Sequence, residues 1–139
     1  MSETLTAKQT VAVIDIGTSG IRMIVAEIGA KSDIRYLENL QKPVRFGKDV
    51  FTSGRISNSA MREAVEILNN YKSVAQTYGV NRIQAIATSA VREASNGDEF
   101  VERVREAAGI DIEVISGPEE ARLIYLGVML FRKISEKTS

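Results

Sequence analysis

The sequence predicts an α/β domain: a mixed five-stranded sheet flanked by helices, with elements in the order β-β-β-α-β-α-β-α. Three observations carry this. Residues 10–16 (Thr-Val-Ala-Val-Ile-Asp-Ile) are almost wholly apolar and β-branched, which suits a strand buried on both faces. Residues 61–78 repeat apolar side chains every three or four positions, the period of one helix face. A short apolar run at 82–88 follows that helix, and a strand–helix–strand crossover places its two strands parallel.

Each element has its own signal. Gly17, Thr18, Ser19 and Gly20 form a tight polar turn, and residues 21–28 are strand-like again, so the first two strands read as a hairpin. A third strand is expected from Ile34 toward Val44, with Pro43 near its end. Residues 47–54 read as a loop. Ser57, Asn58 and Ser59 offer caps for the long helix. Its inner face collects Met61, Ala64, Val65, Leu68, Tyr71, Ala75 and Tyr78, and it ends near Gly79. Residues 82–88 make the fourth strand and 89–94 a short helical turn. Asn96 is placed to cap the next helix, with Glu99 three residues on as in a capping box. Phe100, Val101, Val104 and Ala108 form that helix's inner face, and Gly109 stops it. Residues 111–115 make the fifth strand. Gly117 and Pro118 suit the start of a last helix, from Glu119 to about Ile134. The chain thus divides into a polar tail (1–9), one domain (10–134) and a C-terminal tail (135–139).

Composition narrows the chemistry mostly by what is missing. Apolar residues at 44% and charged residues at 26% of the 139 are ordinary for a globular chain. Without cysteine there is no disulfide framework, thiolate nucleophile or cysteine–zinc site. Without histidine there is no Ser-His triad, histidine base or ordinary zinc enzyme. Acid–base chemistry then falls to Asp, Glu, Lys or Tyr, carboxylates first. A divalent ion would be a hard one held by oxygen, such as magnesium (Mg2+). Eighteen basic residues balance eighteen acidic ones, so no nucleic acid and no membrane surface is expected as partner. No segment reaches the roughly 20 apolar residues of a membrane span, and residues 1–10 lack a signal-peptide core, so a cytoplasmic location is expected.

Three segments can carry chemistry. In Asp15-Ile16-Gly17-Thr18-Ser19-Gly20, a carboxylate ends a buried strand and calls for a partner, which a hydrated magnesium ion would supply. The turn's amides and two hydroxyls can cradle phosphate oxygens, and Gly17 and Gly20 let backbone approach a ligand. A plain hairpin turn, with Asp15 accepting backbone hydrogen bonds, explains the same residues. In residues 87–94 (Ala-Thr-Ser-Ala-Val-Arg-Glu-Ala) a strand hands over to a helix, and Arg92 can offer a forked, permanent charge to a phosphoryl group. Equally, Ser89 can cap that helix while Arg92 pairs with a surface carboxylate. In residues 115–122 (Ile-Ser-Gly-Pro-Glu-Glu-Ala-Arg) a glutamate can activate water for attack on phosphorus, although carboxylates in a first helical turn are stabilised there without any function.

Taken together and in order, Val13-Ile14-Asp15-Ile16-Gly17-Thr18-Ser19, residues 87–94, and residues 115–125 resemble the exopolyphosphatase and guanosine pentaphosphate phosphatase family. The likeness runs from about Val11 to Val128, and Glu119-Glu120-Ala121-Arg122 is its most specific part. The order of elements resembles the ribonuclease H-like (actin-like ATPase) domain of actin, sugar kinases and Hsp70 ATPases, where two such domains face each other across a phosphate-binding cleft. The resemblance implies hydrolysis of a terminal phosphate from polyphosphate, or of the 5′ phosphate from guanosine pentaphosphate (pppGpp), with magnesium. By position it implies Glu120 as the catalytic glutamate, Arg92 as a phosphate-contacting arginine, Gly17, Thr18 and Ser19 as the first phosphate loop, and Asp15 as the metal-side carboxylate.

The chain departs from that pattern in carrying Ser19 where the family's loop often has asparagine. The family's glycine-rich second phosphate loop would lie beyond residue 139. The partners expected are therefore the polyanionic substrate, a second domain of the same chain and a homodimer mate, and the 139 residues alone are expected to be inactive. Residues 123–131 are apolar on every side but for Gly127, which suits burial against such a partner. A sugar-kinase-type phosphotransferase and a non-catalytic actin-like scaffold are the alternative functions.

Overall fold

A computed structural model describes residues 9–30 and 33–116. The hairpin forms as its turn dictates: β1 (Gln9–Ile16) pairs antiparallel with β2 (Gly20–Ile28), and β2 with β3 (Ile34–Pro43) through an irregularity at Val25/Ala26. β4 (Arg82–Ala87) then returns parallel to β1, and β5 (Ile112–Val114) parallel to β4. The sheet order is β3-β2-β1-β4-β5, which puts β1 at its centre.

Alternation along β1 divides its side chains between two clusters. Ala12, Ile14 and Ile16 join Met23, Val25 and the helices in the main core, while Val11 and Val13 pack with Ala26, Ile28 and Ile34 on the opposite face. The long helix α2 (Asn58–Thr77) begins where Ser57 Oγ accepts the Ala60 amide at 3.1 Å, and buries Met61, Ala64, Ile67, Leu68 and Tyr71. The short α3 (Ser89–Glu93) and α4 (Gly97–Ala108) follow β4.

Three expectations give way to packing. Residues expected as a loop form helix α1 (Phe46–Ser53). Its sequence is poor in helix formers, with Gly47, Val50 and Thr52 in eight residues, so local preference argues against it. Burial decides otherwise: Phe46 and Val50 lie four residues apart, and Phe46 meets Phe100 edge-to-face at 5.6 Å. Asn96 does not cap α4 through its side chain. It is 7% exposed, and its amide both accepts from Ile56 N–H and donates to Ile56 O, each at 2.9 Å. Two chain corners are thereby clamped, with help from Ser95 N–H donating to Gly54 O at 2.8 Å. Tyr78 lies past the last turn of α2 rather than in its inner face, and its hydroxyl donates to Glu38 at 2.9 Å. The expected last helix from Glu119 lies outside the described residues.

Replacing Asn96 by Ala strands both polar groups of Ile56 in the interior. Chemical denaturation is expected to show a loss of about 3 kcal/mol, given roughly 1–3 kcal/mol for each unmet buried group. Tyr71 donates to Ile21 O at 2.8 Å, and burial raises its phenol above the ordinary 10.0. A raised folded-state value means that this contribution is complete below pH 10 and is lost as pH climbs through the folded-state value. Tyr71→Phe is therefore expected to cost about 1 kcal/mol at neutral pH. It should also flatten the alkaline fall in stability, measured as denaturation midpoint against pH.

Candidate functional site

The C-terminal ends of β1 and β4 lie side by side, since Ile16 pairs with Ala87 in the parallel ladder. Thr88 N–H extends that pairing to Ile16 O at 3.2 Å, and its side chain is buried against the same carbonyl. The hairpin turn therefore stands next to the exit of β4. Between them opens a cavity of about 320 Å³. The turn and the strand end before it contribute Asp15, Gly17, Thr18, Ser19 and Gly20, β2 and β3 contribute Arg22 and Gln41, and the β4 exit contributes Thr88 and Ser89.

The turn is held from behind by backbone. Gly17 N–H donates to Gly20 O at 2.9 Å, which closes it. Val44 N–H takes Ser19 O at 3.1 Å and Gly47 N–H takes Thr18 O at 2.8 Å. With both carbonyls engaged by the run into α1 and the Gly17 amide spent in closing the turn, its two hydroxyls and the remaining amides are left as donors, a set that favours anions. Gly47 permits the approach, because a Cβ there would sit 3.2 Å from both Thr18 Cβ and Thr18 O.

Two strands aim charge at the same space. Asp15 and Arg22 are direct partners across the β1–β2 ladder, so their side chains leave the same face. Arg22 and Gln41 are partners across β2–β3, with Arg22 Nη2 donating to Gln41 Oε1 at 3.4 Å. Asp15 is half-buried with Oδ1 out of solvent, whereas Arg22, Thr18 and Ser19 are exposed. A phosphate here would meet a guanidinium fork, hydroxyls and amides, the usual phosphate ligands.

Of the residues singled out in the sequence, Asp15, Gly17, Thr18 and Ser19 are brought together. Arg92 is not among the residues lining the cavity. Its Nη1 donates to Ile115 O at 2.8 Å and its Nε lies 3.4 Å from the Glu93 carboxylate. Glu120 lies outside the described residues. Arg22 and Gln41 escaped the sequence reading. Hairpin register would have found Arg22, because a turn between Ile16 and Ile21 sets it opposite Asp15. Gln41 needed the β2–β3 register, which an irregularity shifts.

The donor set suits a hard cation only in company. Among the described residues no group of three His, Cys, Asp or Glu side chains could hold a metal ion. One carboxylate beside hydroxyls fits magnesium, which keeps its waters and binds through one or two carboxylates together with substrate phosphates. Among the described residues a caged, all-protein metal does not fit.

The mixed five-stranded sheet with its helices is the fold of an actin-like ATPase domain. Residues 24–137 match the Ppx/GppA phosphatase family, and the chain belongs to that family. The crystal structure of the Aquifex aeolicus Ppx/GppA family member superposes with a TM-score of 0.81 at 33% identity, over 88% of this chain and 40% of that one. An exopolyphosphatase from Cytophaga hutchinsonii gives 0.78 at 34%, over 86% of this chain and 38% of that one. Nucleoside triphosphate hydrolases from Neospora caninum, at 14% identity and a TM-score of 0.54 over 81% of this chain and 29% of theirs, share the fold alone. The chain thus spans about 40% of the length of the family members it matches.

Gly20 is tied to the sheet rather than to a ligand: a Cβ there would lie 2.5 Å from Lys42 O. Gly20→Ala is expected to push β3 off β2 and to cost at least about 2 kcal/mol by denaturation, as overpacking and strain do. Gly17→Ala has room, with Gly20 O at 3.8 Å, and is expected to stay within about 1 kcal/mol of the parent by denaturation.

Proposed function

We propose that this domain forms one wall of a phosphohydrolase site that removes the terminal phosphate of inorganic polyphosphate or the 5′ phosphate of guanosine pentaphosphate. The observation that carries the reading is the turn at Gly17–Ser19 with Arg22 beside it, which lines a polar cavity in a chain of the Ppx/GppA phosphatase family. Thr18, Ser19 and the turn amides hold the oxygens of the terminal phosphoryl group, and Arg22 bears on its charge. Asp15 would hold a magnesium ion brought in with the substrate, and the ion would offset part of the phosphate charge.

Glu120 serves as the base. It takes a proton from the attacking water as the water oxygen bonds to the terminal phosphorus and the bridging P–O bond breaks. One phosphate leaves, and the remaining chain, shorter by one unit, keeps the bridging oxygen. Arg92 supplies further positive charge to the phosphoryl group once its contact with Ile115 O is exchanged for a substrate oxygen. Since the described half supplies one wall and the relatives are longer, the 139 residues alone are proposed to release little or no phosphate.

The test compares magnesium-dependent phosphate release from polyphosphate and from guanosine pentaphosphate by this chain, by a longer protein that contains it, and by the longer protein with Glu120→Gln. The longer protein is expected to be active, and Glu120→Gln to lower kcat by about 100-fold or more with little change in KM, the usual scale for a lost general base. Activity in the short chain sinks the half-site reading. An inert longer protein favours the actin-like scaffold in its place.

A further inference from the structure

Two adjacent residues at the start of α4 answer two separate packing demands. Asn96 is 7% exposed and its amide is engaged at both ends by Ile56: Oδ1 accepts the Ile56 N–H and Nδ2 donates to Ile56 O, each at 2.9 Å. Gly97 is buried, and a Cβ there would run into Val91 O. The corner therefore needs a side-chain amide at one position and no side chain at the next. The result is the chain's single Asn-Gly dipeptide, since the other five asparagines precede Leu40, Ser59, Asn70, Tyr71 and Arg82.

That pairing is chemically weak. The backbone nitrogen after an asparagine can attack the side-chain amide carbon and close a five-membered imide, and glycine offers no Cβ to hinder the approach. A bond forms between Gly97 N and Asn96 Cγ and the Cγ–Nδ2 bond breaks. Nδ2 leaves as ammonia, taking the proton of Gly97 N–H. Water then opens the ring, at one C–N bond to give aspartate and at the other to give isoaspartate, whose main chain runs through Cγ. No electrons are exchanged, and solvent water is the one co-reactant.

The native corner restrains each participant. Both ends of the carboxamide are tied to Ile56, which keeps it from swinging onto the backbone, and Gly97 N–H is committed to Ala94 O at 3.2 Å. Unfolding releases all three contacts together. Either product then carries a carboxylate where Ile56 O met an N–H donor, so two acceptors face each other and a negative charge enters a buried site built for a neutral amide.

We propose that Asn96 is a self-modification site: in the unfolded chain it deamidates through Gly97, and the product does not rebuild the corner at Ile56, so unfolding becomes irreversible there. The inference stands apart from the phosphatase reading, because it needs no ligand and no second domain.

Two samples of the 139-residue chain, one native and one in concentrated guanidinium chloride, are held at the same temperature and mildly alkaline pH. Mass spectrometry of their proteolytic peptides reads aspartate and isoaspartate at each asparagine. In denaturant Asn96 is expected to react ahead of the other five. In the native sample it should react at least about a hundredfold more slowly, since it waits on an unfolded population of roughly 10⁻³ or less. Gly97→Ala, read in denaturant where packing on Val91 no longer counts, should slow the reaction severalfold. On dilution, the helical signal regained in circular dichroism should fall in step with the fraction converted at position 96. Asn96→Asp should refold as poorly as the converted chain, and Asn58→Asp, at an exposed position, as well as the parent. Equal rates at Asn96 in the two samples, an earlier reaction at another asparagine in denaturant, or full refolding of the converted chain overturns the proposal.

Discussion

Parallel hydrogen bonding between β1 and β4 is the constraint from which the site follows. The two strands enter the sheet from distant parts of the chain, with the Ala12–Ile83 and Ile16–Ala87 pairs keeping them in step. Their ends therefore coincide, and Thr88 N–H adds one more bond to Ile16 O. A one-residue slip would turn Asp15 from the cavity face to the core face, because strand side chains alternate. The cost of burying that carboxylate among Ile14, Ile16 and Met23 guards the register as firmly as the hydrogen bonds do.

A second layer of backbone then makes the turn stiff. Hairpin turns are ordinarily mobile loop tips, but here Thr18 O and Ser19 O are both bound by the chain entering α1. α1 is in turn anchored by Phe46 on Phe100, so the cradle is referred back to α4 through the hydrophobic core. Asn96 repeats the tactic one corner away, serving Ile56 with both ends of its amide. The backbone that surrounds the cavity is thus held by buried groups, which is what preorganised binding of a charged ligand requires.

Charge is handled differently at different depths. The cavity holds one carboxylate and one guanidinium on neighbouring strands, and neither could hold a metal by itself. On the helical layer Arg105 is paired with both Glu102 and Asp111.

The five strands, their mixed order and the long helix were legible in the sequence. β-branched runs and a three-to-four repeat are local properties that survive without tertiary context. The turn at Gly17–Ser19 and Asp15 before it were legible for the same reason, since a polar turn closes a strand wherever the strand lies. Helix α1 was not, because eight residues with weak propensity become helical only when Phe46 and Val50 find a core. Asn96 looked like a cap because spacing shows a helix start, yet only the fold brings Ile56, forty residues away in sequence, within reach of it. Arg22 and Gln41 joined the cavity through strand pairing, and Arg92 turned to Ile115 O through the approach of β5. What the sequence determined by itself was therefore which residues form strands, turns and the long helix, because those depend on neighbours a few positions away. Which side chains share one cavity was decided by the tertiary structure alone, because register and crossover bring together residues that no local pattern relates.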